Sequence, residues 1–198
     1  MLAITLCHIG TVKQCKSLLQ PLREFEKPAV EITGEMPYTI WQSNKDASAP
    51  WGIQSYWKTE YLADLNDQAI HSLIEQFSRV PSSLTNIHIH HLEGAVGRIA
   101  ENATAFAHRD SRYILNFVGI WQEPLEADRN INWVRGAWQA IREYSTGAVY
   151  INFLGEEGDE RVCAAYGAEK YNRLVELKKK YDQSNLFHLN KNIWPQRL

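Results

Sequence analysis

The feature that most restricts the fold of this chain is that its strand-like segments are few, long and polar on one face. In TNIHIHHLEGAV (85–96), isoleucine and histidine alternate, so that His88 and His90 share a face. Strands buried on both faces of a parallel sheet are instead nearly continuous apolar runs. We therefore expect an α+β fold: an antiparallel sheet with helices packed on one face, followed by a helical and irregular C-terminal appendage.

Other segments complete this prediction. Four further stretches are strand-like by their β-branched and aromatic content: LAITLCHIG (2–10), GIQSYWKTEYL (52–62), TAFAHRDSRYILNFVGIWQ (104–122) and AVYINFLG (148–155). Apolar residues at helical spacing predict helices from Thr11, over 66–80, over 125–144 and, as one or two helices, over 157–181.

The first of these helices has a start signal and an internal breaker. Gln14 stands three residues after Thr11, as in a capping box, and Pro21 can split the helix. Residues 28–55 are rich in Pro, Gly and Ser and are predicted to be irregular, with extended pieces at VEIT and YTIWQS. We divide the chain into residues 1–148 and a segment, 149–198, that completes the same domain.

Composition and charge narrow the function classes. The net charge of -2 gives no reason to expect binding to nucleic acid or to an anionic membrane. The three cysteines match no zinc or redox spacing and are typical of a reduced, cytoplasmic protein. The sequence contains no Gly-rich phosphate loop and no GxSxG elbow. Seven Trp and nine Tyr fit a thick core or a pocket for a flat organic ligand.

His88 and His90 have two interpretations. His-x-His on a strand is a metal-ligand spacing, but a metal site needs further ligands and the sequence nearby offers no obvious one. We favour a strand surface that faces a ligand or solvent, and we assign no metal.

Other polar residues also stand at strand or tail positions with more than one interpretation. In VYINFLG, Tyr150 and Asn152 fall on the face opposite Val149, Ile151 and Phe153 if the segment is a strand. They could meet a ligand, but solvated side chains are the simpler alternative. Two further amides, in HLNKNI, suit the polar edge of a ring or a ribityl chain, although turn-forming asparagines are equally consistent: Asn190 and Asn192.

The C-terminal quarter of the chain resembles a known family. Tyr-x-Asn, Ala-Ala-Tyr-Gly, Tyr-Asp-x-x-Asn-Leu-Phe and Leu-Asn-x-Asn-Ile follow one another in VYINFLGEEGDERVCAAYGAEKYNRLVELKKKYDQSNLFHLNKNIWP. This order is similar to that in the berberine bridge enzyme-like FAD-linked oxidases. Upstream, MPYTIWQS, YWKTEYLADLNDQAI, HIHHLEGAV and ATAFAHRDSRYILNFVGIW resemble the substrate-binding domain of bacterial members.

The resemblance implies a fold and a set of roles. The family's substrate domain is an antiparallel sheet whose open face covers the flavin of FAD, next to which a substrate hydroxyl is oxidised. Tyr150 would be the catalytic base, although a phenol with a pKa of about 10 needs help to act at neutral pH. Substrate contacts are expected from His88, His90 and Asn116, and cofactor contacts from Asn152, Asn190 and Asn192. Glu93 departs from the family pattern, because bacterial relatives have glycine there, and close backbone approach at that point is in doubt.

The matching segments do not include the family's FAD-binding domain. We therefore expect the chain to be inactive alone, and to pair with a separate FAD-domain polypeptide or to form a homodimer. The alternative is a non-catalytic ligand- or partner-binding module derived from the same domain. A small metalloenzyme built on His88 and His90 is a weaker third hypothesis.

Overall fold

The computed structural model describes residues 2–44, 46 and 50–195, which divide into two compact units, Met1–Trp51 and Gly52–Leu198. The first unit contains helices α1 (Val12–Phe25) and α2 (Tyr38–Ser43). The second contains strands β1 (Gln54–Leu62), β2 (Asn86–His91) and β3 (Tyr113–Trp121), with helices α3 (Asp67–Phe77), α4 (Ala95–Arg98), α5 (Ala127–Ile141), α6 (Asp159–Tyr166) and α7 (Ala168–Tyr181). The division at residue 148 stays a prediction.

In the first unit, the predicted capping box is present, but two segments predicted to be extended are not strands. In this capping box, the backbone N–H of Gln14 donates to the Thr11 hydroxyl, and the side-chain oxygen of Gln14 accepts from the backbone N–H of Thr11. α1 also continues through Pro21. However, residues 2–10 form no strand. An apolar, β-branched segment forms a β-strand only when its backbone can hydrogen-bond to a neighbouring strand. The segment YTIWQS is also helical instead of extended.

The sheet of the second unit is antiparallel, with the order β1-β3-β2. β3 is central, and its register aligns Asn116 with Thr59 of β1 and with His88 of β2. The prediction of an antiparallel sheet in an α+β fold is therefore confirmed. The predicted 85–96 and 104–122 strands are shorter in the structure, because a helical turn and a hydrogen-bonded loop occupy the residues between β2 and β3.

Helices α3 and α5 cover one face of this sheet. Leu115 and Phe117 of β3 point into a core that includes Leu73 of α3 and Val134 and Ile141 of α5. The indole N–H of Trp133 donates to the Gln76 carbonyl at 3.1 Å and joins the two helices. α5 also packs closely on β3 at Gly119, where an added Cβ would lie 2.8 Å from a methyl carbon of Val134.

A carboxylate is buried in the same helix-covered layer. The Glu60 side chain of β1 has 0% exposure, and its Oε1 accepts from the Trp138 indole at 2.8 Å. Arg142 and Arg161 also donate to Oε1, at 2.7 and 3.0 Å, and the Ser145 hydroxyl donates to Oε2. Because Arg161 belongs to α6, this charge joins the sheet, the end of α5 and the C-terminal segment.

The prediction of a strand over residues 148–155 is also wrong. The segment pairs with β1 only briefly: the Tyr61 N–H donates to the Ala148 carbonyl at 3.3 Å, and residues Ile151–Phe153 form a 3₁₀ turn. Val149 and Leu154, five positions apart, are both buried in a second core with α6 and α7. Burial against these helices at that spacing is incompatible with the two-residue alternation of a strand.

Removal of the buried charge is expected to destabilise the second unit. Glu60→Gln should lower the free energy of unfolding by about 3 kcal/mol, because Arg142 and Arg161 lose the charge that compensates them. Glu75→Gln removes a carboxylate that is 49% exposed and paired with Arg79, and it should cost much less. Urea unfolding measures both variants, and equal losses would contradict the importance of the Glu60 network.

Two glycines give a matched test of helix-on-sheet packing. Gly119→Ala should destabilise by about 1 to 3 kcal/mol, because the new methyl group collides with the buried Val134. Gly136→Ala, on the exposed side of α5 with no atom within 4 Å of the added Cβ, should stabilise by up to about 1 kcal/mol through helix propensity. Thermal unfolding separates the two, and a stabilising Gly119→Ala would contradict the packing described.

Candidate functional site

The sheet face opposite α3 and α5 carries polar side chains in register. Thr59, Asn116 and His88 form one cross-strand row, and Tyr61, Ile114 and His90 form the next. Thr59 and Asn116 are buried, whereas His88 and His90 are exposed. The structure thus brings together the three residues predicted to contact substrate. We call this surface the open face.

Aromatic rings from two loops close one side of the open face. The Phe153 ring lies 5.5 Å from that of His90 and 5.0 Å from that of Tyr150. Phe106 approaches Tyr150 from the other loop, with ring centroids 5.9 Å apart. Tyr150 and Phe153 pack on the buried pair Tyr61 and Ile114, so Tyr150 stands beside the row that contains His90.

The predicted base and its neighbour are in direct contact. The Asn152 side-chain amide donates to the Tyr150 hydroxyl oxygen at 2.8 Å. Tyr150 is half-buried and Asn152 is exposed. This contact occupies a lone pair of the hydroxyl oxygen and leaves the hydroxyl hydrogen available to another acceptor. The strand geometry from which the pair was predicted is absent, and the 3₁₀ turn places the two side chains together instead.

Two further residues define the floor of this cluster. Burial raises the pKa of Tyr61 well above its usual value, so this phenol stays protonated. The His108 ring lies 5.6 Å from the Tyr61 ring, and its Nε2 is 2.8 Å from the Ala164 carbonyl. A carbonyl only accepts, so Nε2 carries a hydrogen. His108 also has a φ of 61°, an uncommon backbone conformation for a residue other than glycine.

An ion pair anchors the loop that carries Phe106 and His108. Lys170 of α7 donates to Glu101 at 2.5 Å and to the Phe106 carbonyl at 2.6 Å. Glu101 also accepts from the backbone N–H groups of His108 and Arg109, both at 3.2 Å. Burial by itself would raise the pKa of Glu101, but these hydrogen bonds outweigh it and lower the pKa.

The tail asparagines lie elsewhere in the second unit. Asn190 and Asn192 line a cavity of about 300 Å³ together with residues of the loop before α6, and its lining does not include Asn152 or Tyr150. The two predicted groups of cofactor residues therefore occupy different surroundings. Their assignment to the cofactor stays a prediction.

Glu93, which stands where the family pattern has glycine, pairs with Arg112. Its carboxylate accepts from Arg112 at 2.6 Å, and this hydrogen bond lowers its pKa. The following Gly94 has a φ of 68°, which suits glycine. Glu93 thus forms a surface ion pair beside the end of β2.

The described residues contain neither a metal-binding cluster nor a helix that could span a membrane. Within residues 2–44, 46 and 50–195, no group of three or more His, Cys, Asp or Glu side chains is arranged to hold a metal ion. The His88 and His90 rings lie edge to face, with centroids 6.0 Å apart. In the same described part of the chain, no helix is long and apolar enough to cross a bilayer.

Comparison with known proteins agrees with the residue motifs. Residues 149–194 match the family described as Berberine and berberine like. An FAD-linked oxidoreductase of Dictyostelium discoideum is 28% identical over 94% of this chain and 41% of its own length. An uncharacterized FAD-linked oxidoreductase of Bacillus subtilis (strain 168) is 26% identical over 96% of this chain and 42% of its own length. The resemblance to the berberine bridge enzyme-like FAD-linked oxidases is confirmed.

Solved structures show that this fold is shared with other proteins. The berberine bridge enzyme-like protein 1 of Physcomitrella patens superposes with a TM-score of 0.77 at 21% identity, covering 96% of this chain and 44% of that one. A carbohydrate oxidase from Microdochium nivale gives a TM-score of 0.68 at 19% identity, covering 95% and 44%. The chain therefore spans about two fifths of the length of the curated relatives that it matches.

Sequence reasoning missed the loop residues of the site. Phe106 and His108 contact the cluster from a segment predicted to be strand, and Phe153 was assigned to the opposite face of Tyr150. The alternation of Phe106 and His108 in AFAHR, just before a turn, was a usable signal, but Lys170 stands 69 residues from Glu101 and has no local signature.

The Glu101 anchor predicts a specific pH dependence. The pKa of Glu101 is lower in the folded chain than the ordinary value of 4.5, so its stabilising effect is complete above about pH 4.5 and is lost as the pH falls through the folded pKa. The difference in unfolding free energy between wild type and Glu101→Gln should therefore shrink below pH 4.5. Amide hydrogen exchange at His108 and Arg109 should also accelerate in the variant at neutral pH. A difference independent of pH, with unchanged exchange, would contradict this anchor.

Proposed function

We propose that this chain forms the substrate-binding and C-terminal part of an FAD-dependent oxidoreductase that oxidises a hydroxyl-bearing organic substrate. The observation that carries the proposal is the position of Tyr150 beside the row that contains His90, next to the row of His88 and Asn116, on the sheet face opposite α3 and α5. The resemblance to FAD-linked oxidoreductases over nearly the whole chain supports the same role. The activity is proposed for an enzyme that includes a flavin-binding domain.

The residues of the open face fit a hydrogen-bonding substrate, through Asn116, and a flat cofactor, through Asn152. Asn116 Oδ1 is buried and has no hydrogen-bond partner among the described residues, so a bound molecule can supply its donor. Asn152 is exposed and its amide can also bind a ring edge. When bound, FAD would accept a hydride from the substrate carbon. Asn152 is our first candidate to hold it, and Asn190 and Asn192 are assigned by resemblance.

Other side chains of the open face would orient the substrate, accept its proton and exclude water. His88 and His90 can each accept or donate one hydrogen bond to a substrate hydroxyl and so orient the reacting carbon. Tyr150 would take the hydroxyl proton as its phenolate, after its own hydrogen has passed to an acceptor, and the Asn152 amide, 2.8 Å from its oxygen, would stabilise that phenolate by donating a hydrogen bond. Phe106 and Phe153 exclude water from one side of Tyr150, which strengthens electrostatic interactions at its oxygen.

A chimaera tests this role. The corresponding part of the Bacillus subtilis relative would be replaced by residues 1–198, and purified protein would be assayed for bound flavin and for hydrogen peroxide with a panel of sugars and alcohols. Tyr150→Phe should lower kcat by about 100-fold or more, because the proton acceptor is lost. Tyr166→Phe alters a tyrosine that packs in the second core, and it should leave kcat unchanged.

Two results would contradict the proposal. One is an active chimaera in which Tyr150→Phe and Tyr166→Phe behave alike. The other is tight retention of FAD by residues 1–198 alone after desalting, since the proposal assigns the main cofactor contacts to another domain. A separate FAD-domain polypeptide or a second copy as the partner would show as a mixed or homodimeric species in sedimentation.

A further inference from the structure

The loop before α6 and the C-terminal tail enclose a cavity of about 300 Å³, separate from the open face. The loop contributes Glu157, the first residue of α6 contributes Asp159, and the tail contributes Asn192 and Trp194. This volume is at the lower end of the range for small-molecule sites, and it is large enough for a group the size of a monosaccharide.

One wall of the cavity has an acceptor that no described residue satisfies. The Glu157 side chain is only 7% exposed. Its Oε2 pairs with Lys58 at 2.6 Å and with Arg161 at 3.5 Å, but Oε1 is buried and has no hydrogen-bond partner in the described structure. Buried carboxylate oxygens are normally hydrogen-bonded, so this one calls for a donor from a bound molecule.

Asn192 of the tail, which also lines the cavity, has polar atoms in the same state. Both polar atoms of the Asn192 side chain, Nδ2 and Oδ1, are buried and have no partner among the described residues. Nδ2 requires an acceptor and Oδ1 a donor. The Trp194 indole N–H donates to Asp159 at 3.0 Å, which fixes the ring at the rim of the cavity. A complementary ligand must therefore donate at two points and accept at a third, next to an aromatic ring.

The charged side chains that line the cavity restrict which chemical class of ligand it can bind. The lining has three carboxylates, Glu156, Glu157 and Asp159, against one lysine, Lys191, which already pairs with Glu156 at 3.4 Å, so an anion would be repelled. A metal ion at Glu157 would lie near Lys58 and Arg161, and the described residues form no metal-binding cluster. Neutral hydroxyl groups donate and accept from the same atom. We propose that this cavity binds a neutral polyol through Glu157 and Asn192.

Two sources share this chemistry: the linear sugar-alcohol chain of a flavin and the ring of a sugar substrate. Ribitol and glucose are suitable probes for the two. With purified residues 1–198 labelled with ¹⁵N, each probe would be titrated while the indole N–H signal of Trp194 is followed. A saturable shift is expected for at least one probe. A stronger response to ribitol supports the flavin chain, and a stronger response to glucose supports the sugar.

Matched variants identify the contacts. Asn192→Leu has nearly the same size but cannot hydrogen-bond, and it should weaken binding by about tenfold or more. Glu176→Gln removes a carboxylate of α7 that is 70% exposed and lies outside the cavity lining, and it should bind like wild type. If Asn192→Leu does not fold, Glu157→Gln, which replaces one acceptor oxygen by a donor, takes its place.

The proposal is overturned if neither probe shifts the Trp194 signal, or if Asn192→Leu binds as well as wild type. Because the experiment measures binding to the chain itself, its failure leaves the proposed oxidoreductase role standing. That role depends on the separate effect of Tyr150→Phe on turnover.

Discussion

The structure of the second unit depends on one fully buried carboxylate. Glu60 lies in the sheet beneath α5, where a lone charge would be strongly disfavoured, and it is compensated by two arginines, an indole and a hydroxyl. Arg142 follows α5 and Arg161 lies in α6, so the charge fixes three parts of the chain at once. Packing of apolar side chains alone would leave their relative position less specific, because apolar contacts have no preferred direction.

The position of the candidate site follows from this network. Ser145 reaches Glu60, and the next residues pair with β1 at Tyr61 before the chain turns at Ile151–Phe153. That turn carries Tyr150 past the edge of the sheet onto the open face, while Val149 and Leu154 remain buried with α6 and α7. A charge on the helix-covered face thus determines where a side chain stands on the opposite face.

The fold was predictable where periodicity and local burial agree. The one-sided polarity of NIHIHH and the apolar stripe of 66–80 led to the antiparallel sheet with helices on one face. The failures have a common cause. LAITLCHIG and AVYINFLG have strand-like composition, but whether such a segment becomes a strand depends on partners distant in sequence. In the second case, burial against α6 and α7 prevailed over the alternation of a strand. His88, His90 and Asn116 could be grouped from strand position, whereas the contact of Lys170 with Glu101 could not, because it joins residues far apart in the chain.

The strand order has a practical consequence for anyone who purifies this chain. β2 lies at the margin of its sheet, and five of its six side chains are exposed. Main-chain amide and carbonyl groups on such a margin are templates for pairing with another molecule. The outer margin of β2 therefore gives residues 1–198 a route for pairing with another chain, which a dilute stock or a fusion partner would disfavour.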